Sequence, residues 1–233
     1  MIRGLIEDYY DIQKMRIEVE NQLRSSEQGL SQIEEKFIRE NVFARLKLIE
    51  KDIYKEMGRW VENEDIYCEW LGNIKGIGPV LATGLVSWIE NPDKFATISK
   101  LWAYSGLAVD GDGRAVRRKT GEKNNWNARL KTHLWKVGES FVKTKGGYRE
   151  LYDQFRKEYD EKWKTPDDCH STGCKNKKKC LDGHRYAAAK RKTVKVFLAH
   201  LWMKWREIRG LPVEHPFIIG KNGHSHLIEI INK

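Results

Sequence analysis

The chain has no run of apolar residues near the roughly 18–20 needed to cross a bilayer. Its first residues, MIRGLIEDYYDIQKM, lack the basic start and short apolar core of a secretory signal. A cytoplasmic location without a membrane partner is therefore expected. No Gly-x-x-x-x-Gly-Lys loop, dinucleotide fingerprint or hydrolase triad occurs, which argues against those nucleotide-binding and hydrolytic chemistries. Cysteine is scarce, with four in 233 residues. Cys68 stands alone and reads as a small buried apolar residue. The other three fall within twelve positions, and in a cytosolic chain such clustering points to metal rather than to a disulfide.

Charge is plentiful but uneven. The net charge is +10, yet residues 1–66 carry 11 Lys and Arg against 15 Asp and Glu, and the remainder carries 32 against 18. A strongly basic body on a mildly acidic stem is the footprint of a protein that binds a polyanion.

Periodicity predicts an all-α protein. A helix over residues 1–24 follows Leu5, Tyr9, Ile12, Val19 and Leu23, with Arg16 interrupting the stripe. Ser31 with Glu34 forms a capping-box pattern. The second helix runs to Trp60 through Ile33, Phe37, Leu46, Ile49, Ile53 and Trp60, with a slip in phase near residues 38–43. The pair fits either an antiparallel hairpin or a dimerising coiled coil. Further helices are expected ending near Asn73, starting at Pro79, over Ile98–Tyr104, Asn124–Lys143, Tyr148–Lys164 and Arg185–Arg209. A loop is expected at Thr165–Gly183 and one short strand at Leu227–Ile231. The expected divisions are a coiled-coil-like helical hairpin at 1–61, a DNA-binding domain at 62–164, and a segment at 165–233 with a zinc loop, a long basic helix and a tail.

The sharpest motif is Leu71-Gly-Asn-Ile-Lys-Gly-Ile-Gly-Pro-Val-Leu-Ala82, which reads as a helix-hairpin-helix. Gly76 and Gly78 permit backbone angles closed to residues with a Cβ. They leave amides bare at a helix N-terminus, a ready phosphate site. Lys75, Gly76, Ile77 and Gly78 are the candidate backbone contacts, and such contacts do not discriminate bases.

The segments that follow resemble a known family. Ile74-Lys-Gly-Ile-Gly-Pro79, Phe95, Ser99-Lys-Leu-Trp-Ala-Tyr-Ser-Gly-Leu107, basic Arg114–Lys119 and Asn127-Ala-Arg-Leu-Lys131 resemble, in order and spacing, the C-terminal transposase domain of the insertion-sequence 110/116/902 group. The resemblance covers residues 60–145 and, more loosely, 185–210. It implies DNA binding in a mobile-element or viral setting; some members of the group are guided by a structured RNA. The group also carries an RNase H-like domain with four acidic residues and a nucleophilic serine in the loop after the Gly-Leu step. Only about 66 residues precede the hairpin here and they read as helical coil. Ala108–Lys119 holds neither Ser nor Thr. Catalysis is therefore not expected, although Thr120, Ser105 and Thr83 are the hydroxyls to consider if the chain is a divergent recombinase or acts with a partner subunit. A structural, nucleic-acid-packaging or protein-interaction role is a further reading.

Cys169, Cys174, Cys180 and His184, at x4, x5 and x3 spacing, suit a closed tetrahedral structural zinc site. His170 could replace Cys169 or His184; His184 is preferred because it would open the last helix. Lys175, Lys177, Lys178 and Lys179 lie within that loop. A basic track of Arg114, Arg117, Arg118, Lys119, Lys123, Arg129 and Lys131 precedes it, with Trp126 and Trp135 interleaved as core or base-stacking residues. A second track is read in Lys190, Arg191, Lys192 and Lys195, beside a core face of Phe197, Leu201 and Trp205. Asp110–Gly113 reads as a tight turn rather than a calcium loop, since its twelfth position is Gly121. His224 and His226 lack a third metal ligand, and His133 and His200 read as packing or solvent residues within helices. The expected partner is nucleic acid, DNA before RNA, with a second copy or another protein on the N-terminal helices.

Overall fold

A computed structural model describes residues 2–25, 29–109, 115–116, 120–121, 123–165, 168, 177–213 and 229–232. The described residues are helical, and their one β contact is an isolated antiparallel bridge between Val109 and Ala115. The helices are α1 (Ile2–Ser25), α2 (Gln32–Phe37), α3 (Ala44–Val61), α4 (Asp65–Glu69), α5 (Pro79–Ile89), α6 (Ile98–Tyr104), α7 (Ala128–Lys143), α8 (Gly147–Lys162) and α9 (Lys177–Ile208). Single 3₁₀ turns occupy Leu71–Asn73 and Pro92–Lys94.

α2 and α3 are joined without a break by a π-helical turn, Ile38–Phe43. The capping box begins this helix as expected: Ser31 Oγ accepts from the Glu34 amide, and the Ser31 amide donates to Glu34 Oε2 at 2.9 Å. The π turn inserts one extra residue and advances the helix face by about 100°. It sits where the apolar stripe slips, and it corrects the predicted face. Ile33 and Phe37, before the turn, are 83% and 61% exposed, whereas Leu46, Met57 and Val61, after it, are buried. α1 and α3 then pack antiparallel within one chain. Arg16, which interrupts the α1 stripe, donates to Glu50 of α3, and Gln13 donates to the same carboxylate at 3.0 Å. A polar clasp therefore replaces apolar contact in mid-hairpin.

The centre of the fold is α5. Its sequence is apolar all round, and Ala82 through Ile89 are all buried among α1, α3 and α7. Gly84 is required there: a Cβ would strike the imidazole ring of His133 from α7. His133 is fully buried and neutral. Its Nε2 donates to the Leu81 carbonyl at 2.9 Å, which leaves Nδ1 to accept from the Tyr10 hydroxyl at 3.2 Å. One histidine thus ties α7 to α5 and α1. Burial pushes its pKa down to about 4.

α9 forms the other wall, packed on α8, α7 and α6. Trp202 donates to the Phe95 carbonyl at 2.8 Å, and Phe141, Tyr148 and Phe197 form an aromatic cluster. Tyr148 and His200, both buried, share a 2.9 Å hydrogen bond. The core is continuous from Ile6 of α1 to Trp205 of α9. Glu229–Asn232 forms no strand; instead the Ile231 carbonyl accepts from Trp70 Nε1 at 3.0 Å, and Ile230 and Ile231 pack against the core. Leu227 and Ile228 lie outside the described residues.

Candidate nucleic-acid interface

The glycine turn is built as its sequence requires. The Leu71–Asn73 3₁₀ turn leads into Gly76, whose φ of 98° disfavours any side chain. Its carbonyl accepts from Ser140 of α7 at 2.6 Å. Gly78 is the N-cap of α5, Pro79 its first residue, and a Cβ on Gly78 would meet open space. Pro79 contributes no donor, so the first bare amides of the helix are those of Val80 and Leu81, both half-buried. Ile77 is buried and anchors the turn; it is not a surface contact. Lys75 is exposed, with its stem against Gly146 at the start of α8. Lys145, next to Gly146 in the chain, is exposed as well. Lys145 was not among the candidates from sequence, although it directly precedes the Gly146-Gly147 break.

The first basic track divides. Arg114, Arg117, Arg118 and Lys119 lie outside the described residues. Lys123 is exposed. Arg129 pairs with Glu7 of α1. Lys131 folds back over the Trp126 ring, 4.3 Å from its centroid. Trp126 is half-buried, whereas Trp135 is 58% exposed beneath Lys190.

The second track does not form one surface. Lys190 is 5% exposed and is held inside the fold by Glu139 and by the Trp135 and Tyr186 rings. Its reassignment from surface to interior follows from Gly138, where α7 and α9 approach so closely that a Cβ would come within 2.7 Å of Lys190 Cγ. Burial opposes ionisation of Glu139, but hydrogen bonds from Lys190 and Tyr186 outweigh it and hold the carboxyl below its usual range. Lys192 pairs with Glu158 of α8. Arg191 donates to the Ala108 carbonyl at 2.8 Å, and Lys195 lies 4.3 Å over the Trp102 ring. Lys136, unremarked in the sequence, covers the Tyr10 ring, and burial pushes it down to about 8.

Two of the hydroxyls considered as nucleophiles are inaccessible. Thr83 and Ser105 are fully buried, donating to the carbonyls of Met57 and Trp102. Thr120 is exposed in a turn with Gly121. Of the zinc candidates, Cys169, Cys174 and the alternative His170 lie outside the described residues, as do Asp110–Gly113, His224 and His226. Cys180 and His184 are half-buried one turn apart on α9. Cys68, expected to be buried, is exposed, and its thiol donates to the Glu62 carbonyl at 3.1 Å. The expectation that His184 opens the last helix is corrected: α9 begins at Lys177. The segment after it is free of proline, Leu181 is buried, and Asp182 pairs with Arg156 of α8, so the helix extends past Gly183. No cluster of three or more possible metal ligands occurs among the described residues.

The fold and this surface define a class: a basic, all-helical protein built round a glycine turn that leads into a buried central helix. Residues 68–153 match the sequence model of the Transposase IS116/IS110/IS902 family, a match running from α4 through the glycine turn, α5, α6 and α7 into α8. That segment is transposase-like. A comparison with curated proteins returns no match. No helix among the described residues is long and apolar enough to cross a membrane.

Proposed function

We propose that the chain binds the backbone of nucleic acid, duplex DNA in preference to RNA, as the DNA-binding part of a transposase-like system. The observation that carries this reading is the Gly76–Pro79 turn, read as a helix-hairpin-helix. Here bare amides at the start of α5, aligned with its dipole, follow directly on the turn that carries exposed Lys75, whose stem meets Gly146 next to exposed Lys145. Contacts of this kind grip phosphate and leave the base sequence unread. The family match over residues 68–153 supports the same reading. The test is fluorescence anisotropy with labelled duplex, single-stranded DNA and structured RNA. Lys75→Glu should weaken duplex binding about tenfold, since it removes one phosphate contact and adds a repulsive charge. Unchanged affinity in that variant would move the interface away from the turn.

The exposed apolar residues of the stem, Ile33, Phe37, Leu48 and Ile49, support a contact surface for a second copy or another protein. A structural zinc ion held by Cys169, Cys174, Cys180 and His184 belongs to the same proposal. Its support is that Cys180 and His184, four residues apart, lie on one face of α9. Thiolates and imidazole suit tetrahedral zinc, which would tether the Lys175 region to α9. Purified protein should carry about one zinc per chain, and a chelator should lower its Tm. Metal-free protein with the same Tm in chelator would remove zinc from the account.

A further inference from the structure

Two cations, Lys131 and Arg191, meet at the Gly106–Ala108 step, a third, Lys195, stands one helical turn from Arg191, and the fold gives none of them a carboxylate among the described residues. Lys131 reaches the step from α7. Its stem lies across Gly106, so that a Cβ there would come within 2.7 Å of Lys131 Cδ and 2.9 Å of Trp126 Cδ1. Gly106 also has a φ of 68°, which favours glycine. Arg191 reaches it from α9 and donates to the Ala108 carbonyl at 2.8 Å. Lys195 lies one helical turn further along α9, over Trp102, whose own Nε1 donates to the Lys195 carbonyl at 3.1 Å. The neighbours on α9 are treated differently: Lys190 is paired with Glu139 and Lys192 with Glu158.

The three positive groups are half-buried, and both lysines lie within the field of the Arg191 guanidinium. Burial, and then the Arg191 guanidinium, hold Lys131 and Lys195 below the usual lysine range, Lys195 at about 8. Burial likewise lowers Arg191. Like charges gathered this closely are costly unless an anion is placed among them. Trp102 and Trp126 fix the lysine stems by cation–π contact, which limits their retreat into solvent.

We propose that Lys131, Arg191 and Lys195 jointly hold one phosphodiester phosphate over the Gly106–Ala108 step. The inference rests on the nucleic-acid reading above and adds to it a second phosphate site, on a different helix pair from the glycine turn. The guanidinium supplies planar donors to two phosphate oxygens, and the two ammoniums supply point charges from either side.

The experiment uses the full chain and a labelled duplex, with log Kd followed against log salt. One phosphate's counterions contribute about 0.9 to that slope. The double variant K131Q/K195Q should therefore lower the slope by about 0.9 and weaken binding about eightfold at about 0.1 M salt. The two single variants together should account for no more than that, because the lysines share one phosphate. K131R should retain wild-type affinity, and K36Q on the stem serves as the control. Should the double variant fail to fold by circular dichroism, K131Q is compared with K131R instead: a smaller slope in K131Q is expected, and equal slopes would overturn the inference.

A slope loss of about 1.8 in the double variant would mean two independent phosphates and would overturn the shared site. Wild-type affinity in the double variant would overturn the inference while leaving the nucleic-acid reading intact. A second arm compares Tm in inorganic phosphate and in chloride at equal ionic strength. Phosphate should stabilise the wild type and not K131Q/K195Q. If the wild type binds no nucleic acid but shows this phosphate response, the anion site stands, its source is free phosphate, and the nucleic-acid reading fails. If neither response occurs, both fail.

Discussion

Glu139→Leu should destabilise the protein by about 3 kcal/mol, a fall in Tm of roughly 10 °C for a chain of this size. The reason is Lys190, which is 5% exposed and whose ammonium is left without its counter-charge when Glu139 is removed. The Trp135 and Tyr186 rings beneath it compensate for only part of that loss. The double variant Glu139→Leu with Lys190→Met should recover most of the stability, because two apolar side chains of similar volume can replace a buried pair at little cost. Urea unfolding of the wild type, the two single variants and the double variant forms the cycle. If the single Glu139→Leu variant is as stable as the wild type, Lys190 is solvated, and the reassignment of the second basic track to the interior is wrong.

The second large effect is acid lability from His133. Its pKa is lowered from 6.5 to about 4 in the fold, so the native state resists the proton that the unfolded chain accepts. The stabilising contribution is complete above pH 6.5 and is lost as the pH falls from 6.5 towards 4. A shift of this size corresponds to about 3 kcal/mol in total, of which about 2 kcal/mol is lost by pH 5, above the range where ordinary carboxylates titrate. His133→Gln can still donate to Leu81 and accept from Tyr10, but it does not titrate. Its unfolding free energy should change little between pH 7.5 and pH 5. An identical slope in wild type and variant would show that His133 is not the group responsible.

These effects mark where the sequence was readable. The glycine turn was legible because its signals are local: Gly76 at positive φ and Pro79 at the first position of α5 are properties of single residues in a short segment. The boundaries of α6 were legible for the same reason. The slip at residues 38–43 was visible as a fault in the stripe, but its consequence needed the π turn, which places Ile33 and Phe37 on a different face from Met57. The extension of α9 back to Lys177 depends on Leu181 and on the Arg156–Asp182 pair, which involves α8. No periodicity within the cysteine-rich segment announces it.

The candidate site divides along the same line. A run such as Lys190-Arg191-Lys192 reads as one charged surface, yet its members have different fates. Lys190 is interior because Gly138 lets α7 close on α9, Lys192 is matched by Glu158, and Arg191 turns to the Ala108 carbonyl. The Tyr10–His133–Leu81 chain, with His133 buried at its centre, was equally hidden, since its three members come from three helices. Charge counted along the sequence therefore did not separate the cations that stay at the surface from those that the helix packing takes inside.

The most direct test of the central claim is the affinity of the intact chain for a labelled DNA duplex as a function of salt. The chain should bind at low salt, with log Kd rising linearly against log salt at a slope of at least about 2, corresponding to two or more neutralised phosphates. Absence of binding to duplex, single strand and structured RNA alike at about 50 mM salt would contradict it. The basic surface would then belong to an acidic protein partner.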